Sequence, residues 1–142
     1  MLQDIFKQLE LPQDANDWLC DLYACIQVFD DIADGDEVNR KDLNHCIWSS
    51  LVGMNVNSFF KANSISLLPV MATAIFKWQG SDTAERKGQV DERSFMWRAS
   101  FYDVVMITYF ICHGRELAEE NAAIIMNLYG ENYQEYKEEF NA

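Results

Sequence analysis

Proline and glycine are scarce in this sequence, with two prolines and six glycines among 142 residues. No stretch is rich in glycine, serine or proline, so the composition gives no sign of a linker between domains. Apolar residues recur mostly at three- and four-residue spacing, and no strand-like alternation persists. A chain of this length can bury a substantial core. We therefore predict one all-α domain over residues 1–142, built as a bundle of about six helices.

Basic side chains are also few. The 11 lysines and arginines stand against 23 aspartates and glutamates, which gives a formal net charge of −12. A surface with this charge repels the phosphate backbones of DNA and RNA. We therefore expect no nucleic-acid partner.

The four cysteines lack the CxxC spacing of zinc and redox sites. Each lies in an apolar context, where a free thiol behaves as a small hydrophobic side chain, and this favours a reducing compartment. The opening segment MLQDIFKQLELPQD does not have the basic region followed by an apolar region that a signal peptide has. We expect a cytoplasmic protein with free thiols.

No apolar run approaches the roughly 20 residues that a bilayer-spanning helix needs. The longest run, FYDVVMITYFIC, contains Asp103 and is too short to cross a membrane. We predict that this run forms a buried core helix and that the chain has no membrane span.

Helix boundaries are predicted from capping and breaking residues. A short amphipathic turn is expected from Leu2 to Leu9, and the next helix runs to about Ala33, where Gly35 can end it. Four tryptophans occupy helical positions where core packing is the default expectation. They are Trp18, Trp48, Trp78 and Trp97.

Proline and glycine also set the predicted boundaries further along the chain. A helix is expected to break or begin near Pro69, because proline lacks the amide donor of a helix interior, and to end at Gly80. The polar stretch from Ser81 to Glu92 is predicted to be a mobile loop. Another helix is predicted from about Arg93 to Cys112.

The segment FDDIAD, residues 29–34, places three aspartates at the predicted end of a helix. Asp30 and Asp34 are one helical turn apart, and Asp31 lies about 100° from Asp30, so the three carboxylates can share one site. Like charges repel at this spacing, and the partial negative charge of a helix C-terminus adds to the penalty. A Mg²⁺ ion would offset both effects, since it prefers carboxylate oxygens with water and phosphate. The alternative interpretation is a solvated helix end.

FDDIAD resembles the first aspartate-rich motif of trans-isoprenyl diphosphate synthases and class I terpene synthases, which are all-α enzymes. The resemblance implies a shortened isoprenoid-synthase-like bundle in which Asp30, Asp31 and Asp34 bind the Mg²⁺ that holds an allylic diphosphate. Arg40 and Lys41 follow closely and can contact phosphate. The implied function is Mg²⁺-dependent binding of a diphosphate-containing small molecule, either without chemistry or as a small enzyme of this kind.

Asp103 is the second residue for which we predict a function, because a carboxylate in an otherwise apolar helix is costly to bury alone. One hypothesis is a catalytic acid that faces the aspartate cluster across the bundle. The other is an ion pair or hydrogen bond with Arg98, Lys77 or a tyrosine hydroxyl.

Two other functions remain open. A small acidic interaction or structural protein without catalytic activity would use an exposed apolar patch to bind a partner or form a homodimer. An all-α nucleotide pyrophosphohydrolase-like enzyme would use glutamates to bind Mg²⁺, and Glu116, Glu119 and Glu120 match that pattern in outline. The segment DLNH, with Asp42 and His45 three residues apart, offers half of a carboxylate–histidine di-iron motif.

Overall fold

The computed structural model describes residues 6–141, and every regular element in that part of the chain is helical. The prediction of an all-α protein is confirmed, although the described residues form seven helices rather than about six. The helices are α1 (Gln13–Ala33), α2 (Arg40–Trp48), α3 (Ser58–Arg86), α4 (Glu92–Trp97), α5 (Phe101–His113), α6 (Arg115–Met126) and α7 (Tyr133–Asn141). Residues 2–5 of the predicted N-terminal turn lie outside the described residues.

The chain forms two compact helical units, Met1–Ser64 and Ile65–Ala142. The first unit contains α1 and α2, and the second contains α4 to α7. α3 begins in the first unit and ends in the second. The prediction that residues 1–142 form one domain stays a prediction.

Trp18 is central to the core of the first unit. Its side chain is fully buried, and its ring lies 5.7 Å from the ring of Phe60 and 5.9 Å from the ring of Phe59, measured between centroids. The buried residues of α1 lie on one side of the helix, as a helix with one face in a core requires. They are Ala15, Trp18, Leu19, Cys25 and Val28. Aromatic packing on Trp18 therefore fixes the start of α3 against α1.

The turn that ends α1 lies at Gly35, as predicted. The φ angle of Gly35 is +75°, a conformation that glycine adopts without steric cost. Its amide donates to the Ile32 carbonyl at 3.2 Å. The Asp36 amide donates to the Asp31 carbonyl at 2.8 Å. These two bonds satisfy carbonyls that the end of a helix leaves free, so the chain turns immediately after the aspartate cluster.

α2 begins at Arg40 and continues beyond Trp48 through a π-helical turn, Ser49–Gly53, and a last α-helical turn, Met54–Val56. Cys46 of α2 is buried, and its carbonyl accepts a hydrogen bond from the Cys25 thiol of α1 at 3.8 Å. Burial raises the pKa of Cys25 to about 12, so this thiol stays protonated and behaves as a small core side chain. All four cysteines lie in the described residues and are free thiols, as predicted.

α3 is a single helix that runs through Pro69, so the predicted break there is wrong. Proline removes one amide donor, which leaves the carbonyl of Ile65, four residues earlier, without its helical bond. Ile65 is exposed, so water can reach this carbonyl. Because the defect lies on the solvent side of the helix, α3 continues without interruption.

α3 also continues past Gly80 to Arg86, so the predicted mobile loop from Ser81 to Glu92 is wrong over its first half. One glycine costs a helix interior about 1 kcal/mol. The turn that follows offsets this cost, since Ser81 Oγ donates to Glu85 at 2.8 Å and Arg86 forms an ion pair with Asp82 at 3.1 Å.

The helix ends at Gly88 instead, where φ is +65°. The Gly88 amide donates to the Glu85 carbonyl at 3.2 Å, and the Gln89 amide donates to the Ala84 carbonyl at 2.9 Å. This is the same pair of bonds that ends α1 at Gly35. A glycine ends a helix in this chain where the backbone adopts positive φ, and not at every glycine.

The predicted helix from Arg93 to Cys112 is two helices, α4 and α5. Between them, the Ala99 and Ser100 amides donate to carbonyls three residues earlier instead of four. Ser100 Oγ donates to the Ala74 carbonyl of α3 at 2.7 Å. This bond holds the break between α4 and α5 against α3.

α5 is a core helix of the second unit, as predicted for the run FYDVVMITYFIC. Its buried residues are Phe101, Val104, Val105, Thr108 and Tyr109. Asn121 Nδ2 of α6 donates to Tyr109 Oη at 3.0 Å. Leu67 of α3 and Ile125 of α6 are fully buried in the same unit. The core of the second unit is therefore built by α3, α5 and α6.

Candidate functional site

A cavity of about 230 Å³ lies in the first unit, between the end of α1, the loop that follows it and the start of α2. Three carboxylates and a histidine line it, together with apolar and amide groups. They are Asp31, Glu37, Asp42 and His45, with Val28 and Asn39. The volume is below the roughly 300–1,000 Å³ of typical small-molecule sites, so an ion or a small polar group fits it best.

Asn39 positions the α2 side of this acidic cavity. Its side-chain oxygen accepts a hydrogen bond from the Asp42 amide at 2.8 Å, and its Nδ2 donates to Asp42 Oδ2 at 2.9 Å. Asn39 is thus the N-cap of α2 and also holds the Asp42 carboxylate. The partial positive charge of the helix N-terminus favours a carboxylate in this first turn.

His45 connects the acidic cavity to α1. Its Nε2 lies 3.6 Å from Asp21 Oδ1 and 3.3 Å from Ser49 Oγ. Burial raises the pKa of Asp21, and the nearby His45 opposes that shift. Asp42 and His45, the two residues noted in DLNH, therefore line one cavity, and His45 is also held next to Asp21 of α1.

The three aspartates predicted to bind Mg²⁺ do not share this cavity. Asp31 lines it, whereas Asp30 and Asp34 do not. Across residues 6–141, no three histidine, cysteine, aspartate or glutamate side chains are grouped as a metal ion would require. Asp31 and Asp42 are oxygen donors of the type that Mg²⁺ uses in ones and twos alongside phosphate and water. The assignment of the three aspartates as ligands stays a prediction.

The other residues predicted to bind phosphate or metal lie on exposed helix surface. Arg40 and Lys41 are exposed in the first turn of α2, and neither lines the acidic cavity. Glu116, Glu119 and Glu120 are exposed on α6. Their proposed roles in phosphate and metal binding stay predictions.

Asp103 of α5 forms an ion pair with Lys77 of α3 in the second unit, with Lys77 Nζ 2.7 Å from Asp103 Oδ2. Both side chains are partly exposed. The ion pair explains why α5 carries a carboxylate among apolar residues, and it was one of the two predicted alternatives. The catalytic role of Asp103 stays a prediction.

A buried polar network in the second unit joins α7 to α3, and sequence reasoning missed it. Tyr136 Oη lies 3.2 Å from Glu85 Oε2 and 2.9 Å from Ser94 Oγ. The Arg98 guanidinium lies 3.8 Å from Glu85 and packs over the Tyr136 ring. Burial raises the pKa of Glu85, and hydrogen bonding to Ser81 opposes that shift. The prediction of a loop from Ser81 to Glu92 concealed this network.

α3 has an exposed apolar face within the second unit, which we call the α3 stripe and define as Ile65, Leu68, Ala72 and Ile75. Ile65 is 89% exposed, Leu68 51% and Ile75 53%, and Ala72 is exposed as well. Phe76 flanks the stripe and is 70% exposed. The sequence signal is a run of twelve residues, ISLLPVMATAIF, that contains no charged side chain. The expected break at Pro69 divided this run into two short pieces.

α3 also has the length and composition of a membrane-crossing helix, although no apolar run in the sequence predicted one. Its most apolar 18-residue window has a mean hydropathy of 1.4, and 17% of that window is buried within the protein. Among the helices of the described residues, α3 alone is both long enough and apolar enough to cross a membrane. Core helices of soluble proteins can have the same length and composition.

Apolar residues are exposed in the first unit too. Trp18 is buried as predicted, but Trp48 is 62% exposed, so its predicted core position is wrong. The same holds for Trp97 in the second unit, which is 37% exposed. Leu51, in the π-helical turn after α2, is also exposed. An extra residue in a helical turn rotates the side chains that follow, and such turns are frequent at functional sites.

Comparisons with protein-family models, curated proteins and solved structures find no match for this chain.

Proposed function

We propose that this protein is an acidic helical interaction protein without catalytic activity, and that it docks a protein helix on the α3 stripe. The exposure of Ile65, Leu68 and Ile75 on one continuous helix face carries the proposal. Single exposed apolar residues are normal on protein surfaces, whereas contiguous apolar patches mark interaction sites. Phe76 extends the patch with an exposed aromatic ring, which offers a large apolar area for a partner to bury.

The surroundings of the α3 stripe favour a protein partner over lipid. Leu67 and Ala74, on the other side of the same helix, are buried in the second unit. Lys77 lies two residues beyond the end of the stripe along α3 and forms an ion pair with Asp103 of α5. A lipid environment around all of α3 would bury this charged pair and displace the core, whereas a docked helix would cover the stripe alone. The net charge of −12 also opposes binding to an anionic membrane surface.

Site-specific photo-crosslinking in a whole extract tests this function. A photoreactive phenylalanine derivative replaces Leu68 in one preparation and Thr73 in another. Thr73 is exposed on the same helix but lies about 140° from Leu68 around its axis. We expect a discrete protein adduct from position 68 and none from position 73. Equal yields at the two positions, or no adduct at position 68, would contradict a docking function for the α3 stripe.

The second candidate function is binding of a phosphorylated small molecule with a divalent cation in the acidic cavity. The observation that favours it is that Asp31 of the FDDIAD motif lines one cavity with Glu37 and Asp42. Asp31 and Asp42 supply carboxylate oxygens, and a cation would offset their mutual repulsion and neutralise a phosphate. Mg²⁺-dependent diphosphate binding, the function implied by the motif, belongs to this candidate.

A thermal melt with Mg²⁺ and pyrophosphate tests the second candidate, because a ligand that binds only the folded chain raises its stability by RT ln(1 + [L]/Kd). Binding predicts a rise in melting temperature that requires both ligands and is lost in Asp31→Asn. Asp36→Asn is the control, since Asp36 is exposed and does not line the cavity. The absence of any shift at millimolar ligand would remove this candidate.

A further inference from the structure

We infer that the partner of the α3 stripe is a second copy of this chain, docked antiparallel across a two-fold axis. The inference rests on the proposed function, because it names the partner for the same surface. A two-fold dimer uses one patch twice, so the patch must be complementary to itself. The spacing, charge and side-chain sizes of the stripe meet that requirement.

The α3 stripe has the spacing of a coiled-coil contact. Its four residues are separated by three, four and three positions, which are the intervals between the a and d positions of a heptad. Side chains at these intervals stay in line along one facing helix. The surface therefore fits a helix better than a strand or an extended peptide.

The opposite side of α3 is already used by the second unit. Leu67 is fully buried and lies about 160° from Ile65 around the helix axis. Ala74 is buried on the same side, and its carbonyl accepts the hydrogen bond from Ser100 Oγ. α3 is thus apolar on both sides, as expected for a helix that packs between two bodies of protein. The stripe is the side that the chain's own core leaves exposed.

The absence of charge allows a second copy to dock on the α3 stripe, although charge opposes contact elsewhere. Two chains that each carry a net charge of −12 repel each other over most of their surfaces. The twelve residues from Ile65 to Phe76 contain no charged side chain, so two copies can approach there without opposing carboxylates. The remaining repulsion is screened over about 8 Å at physiological salt. A basic partner would instead be attracted to the acidic surface elsewhere on the chain.

Side-chain sizes favour the antiparallel direction. With the two-fold axis level with Val70, Ile65 faces Ile75 of the second copy. In the central layers, Leu68 faces Ala72 of the second copy, and such pairing of large with small residues fills space evenly. A parallel pair would place Ala72 opposite its own copy, which leaves a void, and would align the two helix dipoles unfavourably.

The contact is short, so the expected dimer is weak. Twelve residues at about 1.5 Å each give a contact about 18 Å long. Stable interfaces usually bury about 800 Å² on each partner, which is more than one short helix face provides. We expect a monomer–dimer equilibrium with a dissociation constant in the micromolar range.

Sedimentation velocity on the purified full chain tests the inference over a range of protein concentrations. The wild-type chain is expected to shift from monomer to dimer as its concentration rises. Leu68→Gln combined with Ile75→Gln is expected to weaken dimerisation at least tenfold. Ile124→Gln is the matched control and should change it less than twofold, because Ile124 is an equally exposed isoleucine on α6. Circular dichroism and thermal melts check that each variant stays folded.

A charge exchange tests the direction of pairing. Ile65→Lys and Ile75→Glu should each weaken the dimer when made alone. In an antiparallel pair, the lysine introduced at position 65 of each copy faces the glutamate introduced at position 75 of the other copy. The double variant should therefore dimerise more tightly than either single variant. In a parallel pair like charges meet, and a double variant weaker than both single variants would overturn the antiparallel arrangement.

Three further results would overturn the inference. A wild-type chain that remains monomeric at several hundred micromolar has no second copy as its partner. A dimer that is unaffected by Leu68→Gln with Ile75→Gln uses another surface. Flotation of the chain with neutral phosphatidylcholine vesicles, lost in the same variant, would identify lipid as the occupant.

Photo-crosslinking separates the two proposals, since an adduct to a different protein at position 68 rejects the second copy but retains the docking function.

Discussion

Asp31 and Asp34 belong to one motif, yet they lie in different surroundings. Asp31 lines the acidic cavity, whereas Asp34 is the exposed C-cap that follows α1 and does not line it. Helix geometry allowed the motif's carboxylates to share one site, but the turn at Gly35 and the start of α2 decide which of them line the cavity. The sequence predicted the turn from its glycine. It could not predict the cavity, because that depends on how the loop after α1 packs.

The Lys77–Asp103 pair gives a prediction at the level of single residues. In a double-mutant cycle with Lys77→Met and Asp103→Asn, we expect a coupling free energy of about 0.2–1 kcal/mol, because the two partly exposed side chains are screened by solvent. Chemical denaturation of the four proteins measures it. A coupling energy near zero would mean that this ion pair does not stabilise the fold.

Glu85 gives a prediction about pH. Burial raises its pKa above the ordinary 4.5, so the folded chain holds this proton more tightly than the unfolded chain does. The stability that the proton contributes is complete below pH 4.5 and is lost as the pH rises through the raised pKa. Glu85→Gln should therefore raise the free energy of unfolding at pH 7, and the gain should vanish below pH 4.5.

Denaturant unfolding between pH 4 and pH 8 measures this dependence. Glu139→Gln is the control, because it removes the same charge from an exposed position on α7 and should leave the pH profile nearly unchanged. If Glu85→Gln instead lowers stability at pH 7, the interaction of Glu85 with Arg98 outweighs the cost of burying its charge.

At the level of helices, local spacing predicted where the chain is helical but not where each helix stops. Gly35 and Gly80 look alike in sequence, and both were expected to end a helix. Gly35 adopts positive φ, whereas Gly80 lies inside α3, where hydrogen bonds and an ion pair in the next turn support the helix. A helix break was also expected at Pro69, yet α3 continues through it. The proline leaves the Ile65 carbonyl without its helical hydrogen bond, but Ile65 is on the exposed surface of α3, where water can supply that bond.

Two glycine substitutions test this account of α3. Gly80→Ala should stabilise the protein by about 0.5–1 kcal/mol, because alanine is the better helix former. A Cβ at Gly80 would meet its nearest neighbour, an atom of the Trp97 ring, at an ordinary 3.7 Å. Gly88→Ala should destabilise by about 1 kcal/mol, since the positive φ of Gly88 is strained for any other residue although space is available.

Thermal melts of the two variants measure the difference. A loss of stability in Gly80→Ala similar to that in Gly88→Ala would mean that the helix does end near Gly80. In that case the segment from Ser81 would be the mobile loop that the sequence predicted.

For the whole molecule, composition predicted the all-α class and left the function open. The recurrence of apolar residues every three or four positions predicted that α3 is helical. This spacing cannot distinguish a helix face that packs on the chain's own core from one that remains exposed. Leu67 and Leu68 are neighbours in sequence, and only the fold shows that one is fully buried and the other half exposed. The interaction hypothesis was one of the functions that the sequence left open, and the α3 stripe is the surface that we propose for it.

A cross-linking profile along α3 tests the central claim most directly. The photoreactive residue is placed in turn at positions 65, 68, 72 and 75 of the stripe and at Ser66 and Thr73, which are exposed off the stripe. A docked protein helix predicts high adduct yields at the four stripe positions and low yields at the other two. Adduct yields at Ser66 and Thr73 as high as those at the stripe positions would contradict the proposal that the α3 stripe binds a protein helix. Adducts to lipid in place of protein would contradict it as well.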